Sequence, residues 1–226
     1  MSLLKKRNAD TENINKHILN IPLLDLRQYT PAALKNIQKL NAAMVILAKE
    51  PNDELMAAYG NIPCKNVATE IFVENGREIK MRNGFAELDC NTCDENAIYL
   101  VNGYAVIKNA EEHMINVMVN GGIICENGAK INIINCNGSA EYVDFKIKRA
   151  KTFQKDLPAD KDFIENLEDG TVVICDNNLT FELDITPELL KGRKLYFSVG
   201  KTVKCSKRAL GTVQTMCRAN DYKTFL

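Results

Sequence analysis

A single Cys-x-x-Cys motif, Cys90-Asn-Thr-Cys93, is the feature of this sequence that comes closest to a metal site. A structural zinc ion needs four ligands, and one such motif supplies two of them. The sequence has no second motif of this kind, and its two histidines, His17 and His113, lie far apart along the chain. We therefore predict no metal and no cofactor, with Cys90 and Cys93 as the first residues to test if a metal does bind. The neighbouring residues also lack the strand–helix–strand pattern of thioredoxin-like redox proteins.

The other reactive side chains do not form a recognisable catalytic pattern. His113 follows Glu111 and Glu112 in a polar segment, but a general base needs a reacting partner within hydrogen-bond distance, and acids beside a histidine are common on solvated surfaces. Neither a phosphate-binding glycine motif nor a G-x-S-x-G serine occurs. A sugar-cleaving site would need two carboxylates facing one groove, and such enzymes usually add stacking aromatics, whereas this chain has no Trp. We therefore predict no catalytic residue and favour a protein that is not an enzyme.

The C-terminal end of the chain is strongly basic. From Lys191 onward, nine Lys and Arg residues accompany one acid, while the preceding part holds 20 basic and 28 acidic residues, so that the net charge is zero. Within this end, Lys201, Lys204, Lys207 and Arg208 are the candidates for binding an anionic partner, either a nucleic acid or a membrane surface. The alternative is a solvated charged face without a partner.

Short apolar runs separated by Asn-Gly pairs must position these residues. The stretch from Ile98 to Ser139 contains four of the six Asn-Gly pairs in the chain. Because Asn and Gly adopt positive φ more readily than other residues, each pair indicates a sharp reversal or corner.

Nine apolar runs are typical of strands, and their spacing predicts the architecture. The predicted strands begin at residues 23, 44, 69, 98, 115, 131, 171, 195 and 213. Coils of roughly 20 to 30 residues occur in proteins whose units bury their apolar faces by stacking on one another. We predict a mainly β fold with a few short helices, built as an irregular β-solenoid with capped ends. The alternative is a β-sandwich of hairpins, because Asn-Gly is also the strongest hairpin signal.

Helices are predicted where a cap signal precedes apolar residues at helical spacing. Thr30-Pro31 suits a helix start, and the helix is predicted to continue through Ile37–Leu40. A similar spacing recurs at Ile164–Leu167, and Thr186–Leu190 forms a third copy.

The same patterns suggest a division of the chain. Residues 1–20 are predicted as an N-terminal cap segment with a short helix, 21–150 as a first solenoid part, and 151–226 as a second solenoid part that includes the basic end. One continuous domain over 21–226 is the alternative. The boundary rests on Lys146–Asp162, the most polar stretch, which is predicted as a surface loop or a join between the two parts.

The composition is that of a folded protein, with 226 residues of which 46% are hydrophobic and 26% charged. No apolar run approaches the roughly 20 residues that cross a bilayer, and the N-terminus lacks the apolar core of a signal peptide. We therefore predict a cytoplasmic protein. Most of the eight cysteines lie in apolar runs and are predicted to be free core residues.

Three functions remain open at this point. The first is a non-enzymatic scaffold or interaction protein that self-associates, because the strand edges at the ends of a solenoid must be capped or paired. The second is binding of an anionic partner through the basic C-terminal end. The third is an enzyme or metal protein that uses Cys90 and Cys93.

Overall fold

The structure, a computed structural model, describes residues 17–111 and 114–225. The chain divides into two compact units, the first ending at Arg77 and the second beginning at Glu78. The described residues are mainly β, and every pairing between their strands is parallel. The prediction of a mainly β fold with a few short helices is confirmed.

The first unit is a three-stranded parallel sheet with two helices. Its elements are β1 (His17–Asp25), a 3-10 turn (Leu26–Gln28), α1 (Pro31–Leu34), β2 (Ile37–Ala48), α2 (Asp53–Gly60) and β3 (Cys64–Val73). The strand order β1-β2-β3 follows the order along the chain. Inward side chains of the sheet, such as Leu40 and Val45, pack with Leu55 and Tyr59 of α2 to form the core of this unit.

The first helix begins where the sequence predicts it but ends early. The hydroxyl oxygen of Thr30 accepts a hydrogen bond from the Ala33 amide at 3.4 Å, and Pro31 is the first helical residue. The prediction that Ile37–Leu40 continues the helix is wrong, because these residues open β2. Ile37 pairs with His17 and Lys39 with Ile18, which leaves Gln38 as an extra residue in a β-bulge.

The second unit begins with a sheet of five strands. They are β4 (Ile79–Asp89), β5 (Ile98–Lys108), β6 (Ile115–Glu126), β7 (Ile131–Cys136) and β8 (Ser139–Val143). The order is β4-β5-β6-β7, and β8 pairs with the later residues of β6.

Three Asn-Gly pairs lie inside these strands and stack in register. Gly84, Gly103 and Gly121 are partners across β4, β5 and β6, and all three have positive φ. A Cβ atom on Gly103 would lie 2.0 Å from the carbonyl oxygen of Gly84, so no other residue fits there. The prediction of positive φ at these glycines is confirmed. The alternative of a sandwich of hairpins is wrong for the described strands, since none of them forms an antiparallel pair.

The rest of the second unit alternates between two further parallel sheets. The elements are β9 (Arg149–Phe153), β10 (Leu157–Ala159), α3 (Lys161–Glu165), β11 (Thr171–Cys175), β12 (Leu179–Phe181), α4 (Pro187–Leu190), β13 (Leu195–Val199), β14 (Thr202–Cys205), α5 (Leu210–Met216), β15 (Cys217–Arg218) and β16 (Asp221–Thr224). One sheet has the order β9-β11-β13-β15 and the other β10-β12-β14-β16. Their facing side chains and the three helices enclose one large apolar core.

Three predictions about particular segments are wrong. The strand predicted from Val213 lies mostly in α5, because Val213, Met216 and Cys217 are spaced as on one face of a helix. The stretch Lys146–Asp162 is not a surface loop but contains β9 and β10, with Leu157 buried. Of the predicted N-terminal helix, residues 17–20 belong to β1, and the remainder lies outside the described residues.

An apolar contact joins the five-stranded sheet to the sheet that contains β11. Val106 and Ile124 pack against Val172 and Ile174, and all four side chains are buried. The five-stranded sheet is therefore covered on both faces, because its opposite face carries a separate apolar cluster. No helix within residues 17–111 and 114–225 is long and apolar enough to cross a membrane.

Candidate functional site

The basic residues singled out in the sequence lie near one another at the end of the second unit. Lys201 precedes β14, Lys204 is within it, and Lys207 and Arg208 follow it; all four are exposed. Lys204 is the register partner of Lys223 on β16, so the two like charges lie side by side on the outward face of the sheet. Such pairs are destabilising unless an opposite charge offsets them.

Arginines and lysines of this basic end differ in their partners. Arg193 contacts Asp169 at 2.9 Å, and Arg208 contacts Glu188, also at 2.9 Å. Arg208 is therefore already paired on an exposed surface. By contrast, Lys201, Lys204 and Lys207 form no ion pair with any described residue, and these three lysines remain available to a partner.

Cys90 and Cys93 lie at the turn that follows β4. The Cys93 amide donates a hydrogen bond to the Asp89 carbonyl at 3.0 Å, Cys90 is buried, and Cys93 is half-buried. Burial, with the nearby Cys93 thiol as a smaller cause, raises the pKa of Cys90 to about 12. Burial is also the main cause that raises the pKa of Cys125 to about 12, and Cys90 contributes to it.

A metal site would require these thiols to ionise together with further ligands. Among the described side chains, no three Cys, His, Asp or Glu residues lie close enough together to hold a metal ion. His113 lies outside the described residues, and His17 begins β1. The prediction that Cys90 and Cys93 would be the ligands of any metal stays a prediction.

The structure also contains a polar cluster that the sequence analysis missed, centred on the buried carboxylate of Glu141. Tyr196 donates a hydrogen bond to Glu141 Oε2 at 2.7 Å, Ser139 donates one to Oε1 at 3.1 Å, and Arg218 contacts Oε1 at 3.0 Å. These residues come from β8, β13 and β15, so the cluster ties the five-stranded sheet to its neighbour. No local sequence signal could reveal it, because Glu141 and Tyr196 are 55 residues apart.

The electrostatics of this cluster favour a structural role. Burial, followed by the hydrogen bond to Glu141, raises the pKa of Tyr196 well above its ordinary value. Tyr196 therefore stays protonated and keeps donating to the carboxylate. Both carboxylate oxygens of Glu141 have partners, so no acceptor is left for a substrate proton. A buried carboxylate with satisfied oxygens holds elements together rather than performing acid–base chemistry.

The first unit has a surface depression of about 500 Å³ beside α1 and α2. Apolar side chains of both helices line it, together with Lys35, Glu54 and Asn61. Neither a hydrogen bond nor an ion pair joins Lys35 to Glu54 in the described part of the chain. The depression therefore lacks the convergent polar groups that define a small-molecule site.

Comparisons with protein-family models, with curated proteins and with solved structures found no match for this chain. The site residues and the fold are therefore the grounds on which a function can be argued.

Proposed function

We propose that this chain is a non-enzymatic scaffold or interaction protein of β-solenoid architecture that self-associates. The observation that carries the proposal is the strand order, because each sheet adds its parallel strands in the order of the chain. Such stacking leaves a row of unpaired backbone groups at the last strand of each sheet, and these groups favour pairing with another chain.

The register supports the solenoid. Thr171 of β11 pairs with Arg149 of β9 and with Leu195 of β13, so successive strands of this sheet are 22 and 24 residues apart. In the five-stranded sheet, Ile79 pairs with Ile98, a step of 19 residues. Nearly constant steps between parallel partners are what a coiling chain produces, with each coil stacked on the previous one.

The absence of a catalytic arrangement in the described residues agrees with a scaffold. The buried carboxylate of Glu141 is fully hydrogen-bonded, and the thiols of Cys90 and Cys125 have pKa values of about 12, so they are poor nucleophiles near neutral pH. Neither group is prepared for acid–base or nucleophilic catalysis.

Charge could contribute to association between copies. The lysines that remain unpaired at the basic end lie on a chain whose first 190 residues carry an excess of acids. Contacts between the basic end of one copy and the acidic surface of another would be weakened by salt, because exposed charges are screened over about 10 Å at 0.1 M ionic strength.

Light scattering coupled to size-exclusion chromatography, at low and at high salt, tests this proposal. We expect a defined oligomer of the intact chain, and partial dissociation at high salt if charge contributes. A monomer at every concentration and salt level would contradict self-association.

A second candidate function is binding of an anionic partner, and the pairing of Lys204 with Lys223 favours it. Two adjacent lysines without a neutralising partner on the outward face, with Lys201 and Lys207 close by along the chain, form a surface to which phosphate groups are attracted. Retention on immobilised heparin should fall when Lys201, Lys204 and Lys207 are changed to Ala.

The matched control changes three exposed lysines outside this surface, namely Lys35, Lys39 and Lys155. Equal loss of retention in both variants would mean that only net charge matters and would contradict a site at the basic end.

A further inference from the structure

The apolar core of the five-stranded sheet is open at the layer formed by β7 and β8. Cys125 and its register partner Tyr142 point to the same face of the sheet, because partners in parallel strands share a face. Cys125 is 0% exposed and belongs to the apolar cluster, whereas Tyr142 is 53% exposed.

The other inward residues of this layer show the same change. Val117 is 0% exposed, while its partner Ile133 packs against the cluster and is only half-buried. Ile123 is fully buried, while its partner Ala140 is exposed. β7 and β8 each pair only with β6 in the described part of the chain, so their outer edges carry unpaired backbone groups.

This layer also lacks the features that usually protect a strand edge. Native proteins place charged side chains or Pro on exposed edges to prevent pairing. The other edge strands of the second unit have them: Lys80 and Arg82 on β4, Arg149 and Lys151 on β9, Pro158 on β10, Arg218 on β15, and Lys223 on β16. The one charge in β7 and β8 is Glu141, which is buried and bound to Arg218.

We propose that the β7–β8 layer is the self-association surface of this protein and pairs with the same layer of a second copy. An uncharged apolar surface requires an uncharged partner, and the remaining strand edges of this unit present charges or Pro. A second β7–β8 layer provides the matching apolar side chains, and around a two-fold axis it also provides equal numbers of backbone donors and acceptors. The inference rests on the proposed function, because it identifies the surface through which the chain self-associates.

The size of the layer sets the strength of this contact. β7 contributes six residues and β8 five, whereas a standard interface uses roughly 20–30 residues a side. We therefore expect a weak dimer whose population depends on protein concentration and, because the contact is apolar, hardly on salt.

The test compares the intact chain with the Tyr142→Lys variant by light scattering at about 1 to 300 μM protein, the range in which weak complexes form. The expected result is that the intact chain shifts from the mass of one chain to that of two as concentration rises, and that the variant stays at the mass of one chain. Leu183→Lys is the matched control, because Leu183 is an apolar residue that is 74% exposed and lies outside the layer. The control variant should dimerise like the intact chain.

Hydrogen exchange at low and high protein concentration provides a second readout that does not depend on a variant. Backbone amides of β8 should exchange more slowly at high concentration, and those of β16 should not change. A circular dichroism spectrum that matches the intact chain shows that Tyr142→Lys is folded.

The outcomes separate the inference from the proposed function. An oligomer that loosens with salt but is unaffected by Tyr142→Lys, with no protection of β8, would overturn the inference and leave self-association in place. A chain that is monomeric throughout would overturn both. Loss of the dimer in both lysine variants would also overturn the inference, because the effect would then not be specific to the layer.

Discussion

At the scale of single residues, Tyr196 and Glu141 form the contact on which the join between two sheets depends most. Tyr196 is the donor to Glu141 Oε2, and Arg218 and Ser139 serve the other oxygen. Removing one donor to a buried carboxylate costs more than losing a hydrogen bond on the surface, because the charge left behind cannot reach water.

We predict that Tyr196→Phe lowers the free energy of unfolding by about 1–3 kcal/mol. The measurement is urea unfolding followed by circular dichroism. Tyr29→Phe is the control, since Tyr29 is 38% exposed, and its change should stay within about 0.5 kcal/mol. An equal effect of the two substitutions would show that the Tyr196 hydroxyl does not stabilise the join.

The buried thiols predict how stability depends on pH. The pKa values of Cys90 and Cys125 are about 12 in the folded chain, against 9.0 for an unperturbed thiol. Between these values the unfolded chain loses protons that the folded chain retains, so the unfolded state is favoured as pH rises. Stability is therefore complete below about pH 9 and falls between pH 9 and 12, by up to about 1.4 kcal/mol per pH unit for each thiol.

Urea unfolding at several alkaline pH values measures this slope. The Cys125→Val variant should show a slope smaller by up to about 1.4 kcal/mol per pH unit, because one of the two thiols is gone. An unchanged slope would mean that Cys125 ionises as easily in the folded chain as in the unfolded one.

At the scale of elements, the stacked glycines decide how closely neighbouring strands approach. Gly103 has φ of 135°, and Gly121 continues the same stack with a Cβ position 2.0 Å from the Gly103 oxygen. Next to them, the Asn102 amide donates a hydrogen bond to the Asn83 side chain at 3.1 Å. Glycine is needed for the approach, and asparagine links the strands.

Gly103→Ala should lower the free energy of unfolding by roughly 2–5 kcal/mol, because a new methyl group meets backbone and the positive φ is strained. Gly211→Ala is the control in α5, where the added methyl group meets no atom within 4 Å. That substitution should stabilise the chain by roughly 0.5–1 kcal/mol, since alanine favours a helix. Urea unfolding measures both, and a small effect at Gly103 would contradict the tight stacking.

Element types could be predicted where local signals agree. Thr186 caps α4 through the Leu189 amide at 3.3 Å and is followed by Pro187, as the sequence indicates. The bulge at Gln38 explains one failure, because an extra residue spaces Ile37 and Leu40 like residues of a helix. The sequence also could not reveal which strands pair, since Asn-Gly is compatible with hairpins and with parallel stacking.

At the scale of the whole molecule, the core clusters lie within one unit or the other. The cluster that contains Leu40 and Tyr59 belongs to the first unit, and the remaining clusters belong to the second. A compact unit with its own core can fold alone. The predicted boundary near residue 150 stays a prediction, and the next experiment addresses it.

We predict that a chain beginning at Glu78 folds with a cooperative thermal transition, as measured by circular dichroism. A chain beginning at Lys151 is the control and should not fold, because it would cut β9 and separate Val106 and Ile124 from Val172 and Ile174. Folding of the chain from Lys151 would support the boundary near residue 150, and failure of the chain from Glu78 to fold would contradict an independent second unit.

The alternation of β9 to β16 between two sheets has a consequence for how such a gene can change. Because each passage of the chain contributes one strand to each sheet, a tandem duplication of the codons for Thr171 to Lys194 would insert β11, β12 and α4 together. Both sheets would grow by one strand, and the register of the remaining strands would be kept. The length of this protein can therefore evolve in whole repeats, whereas a duplication of any shorter piece would extend one sheet and leave the other behind.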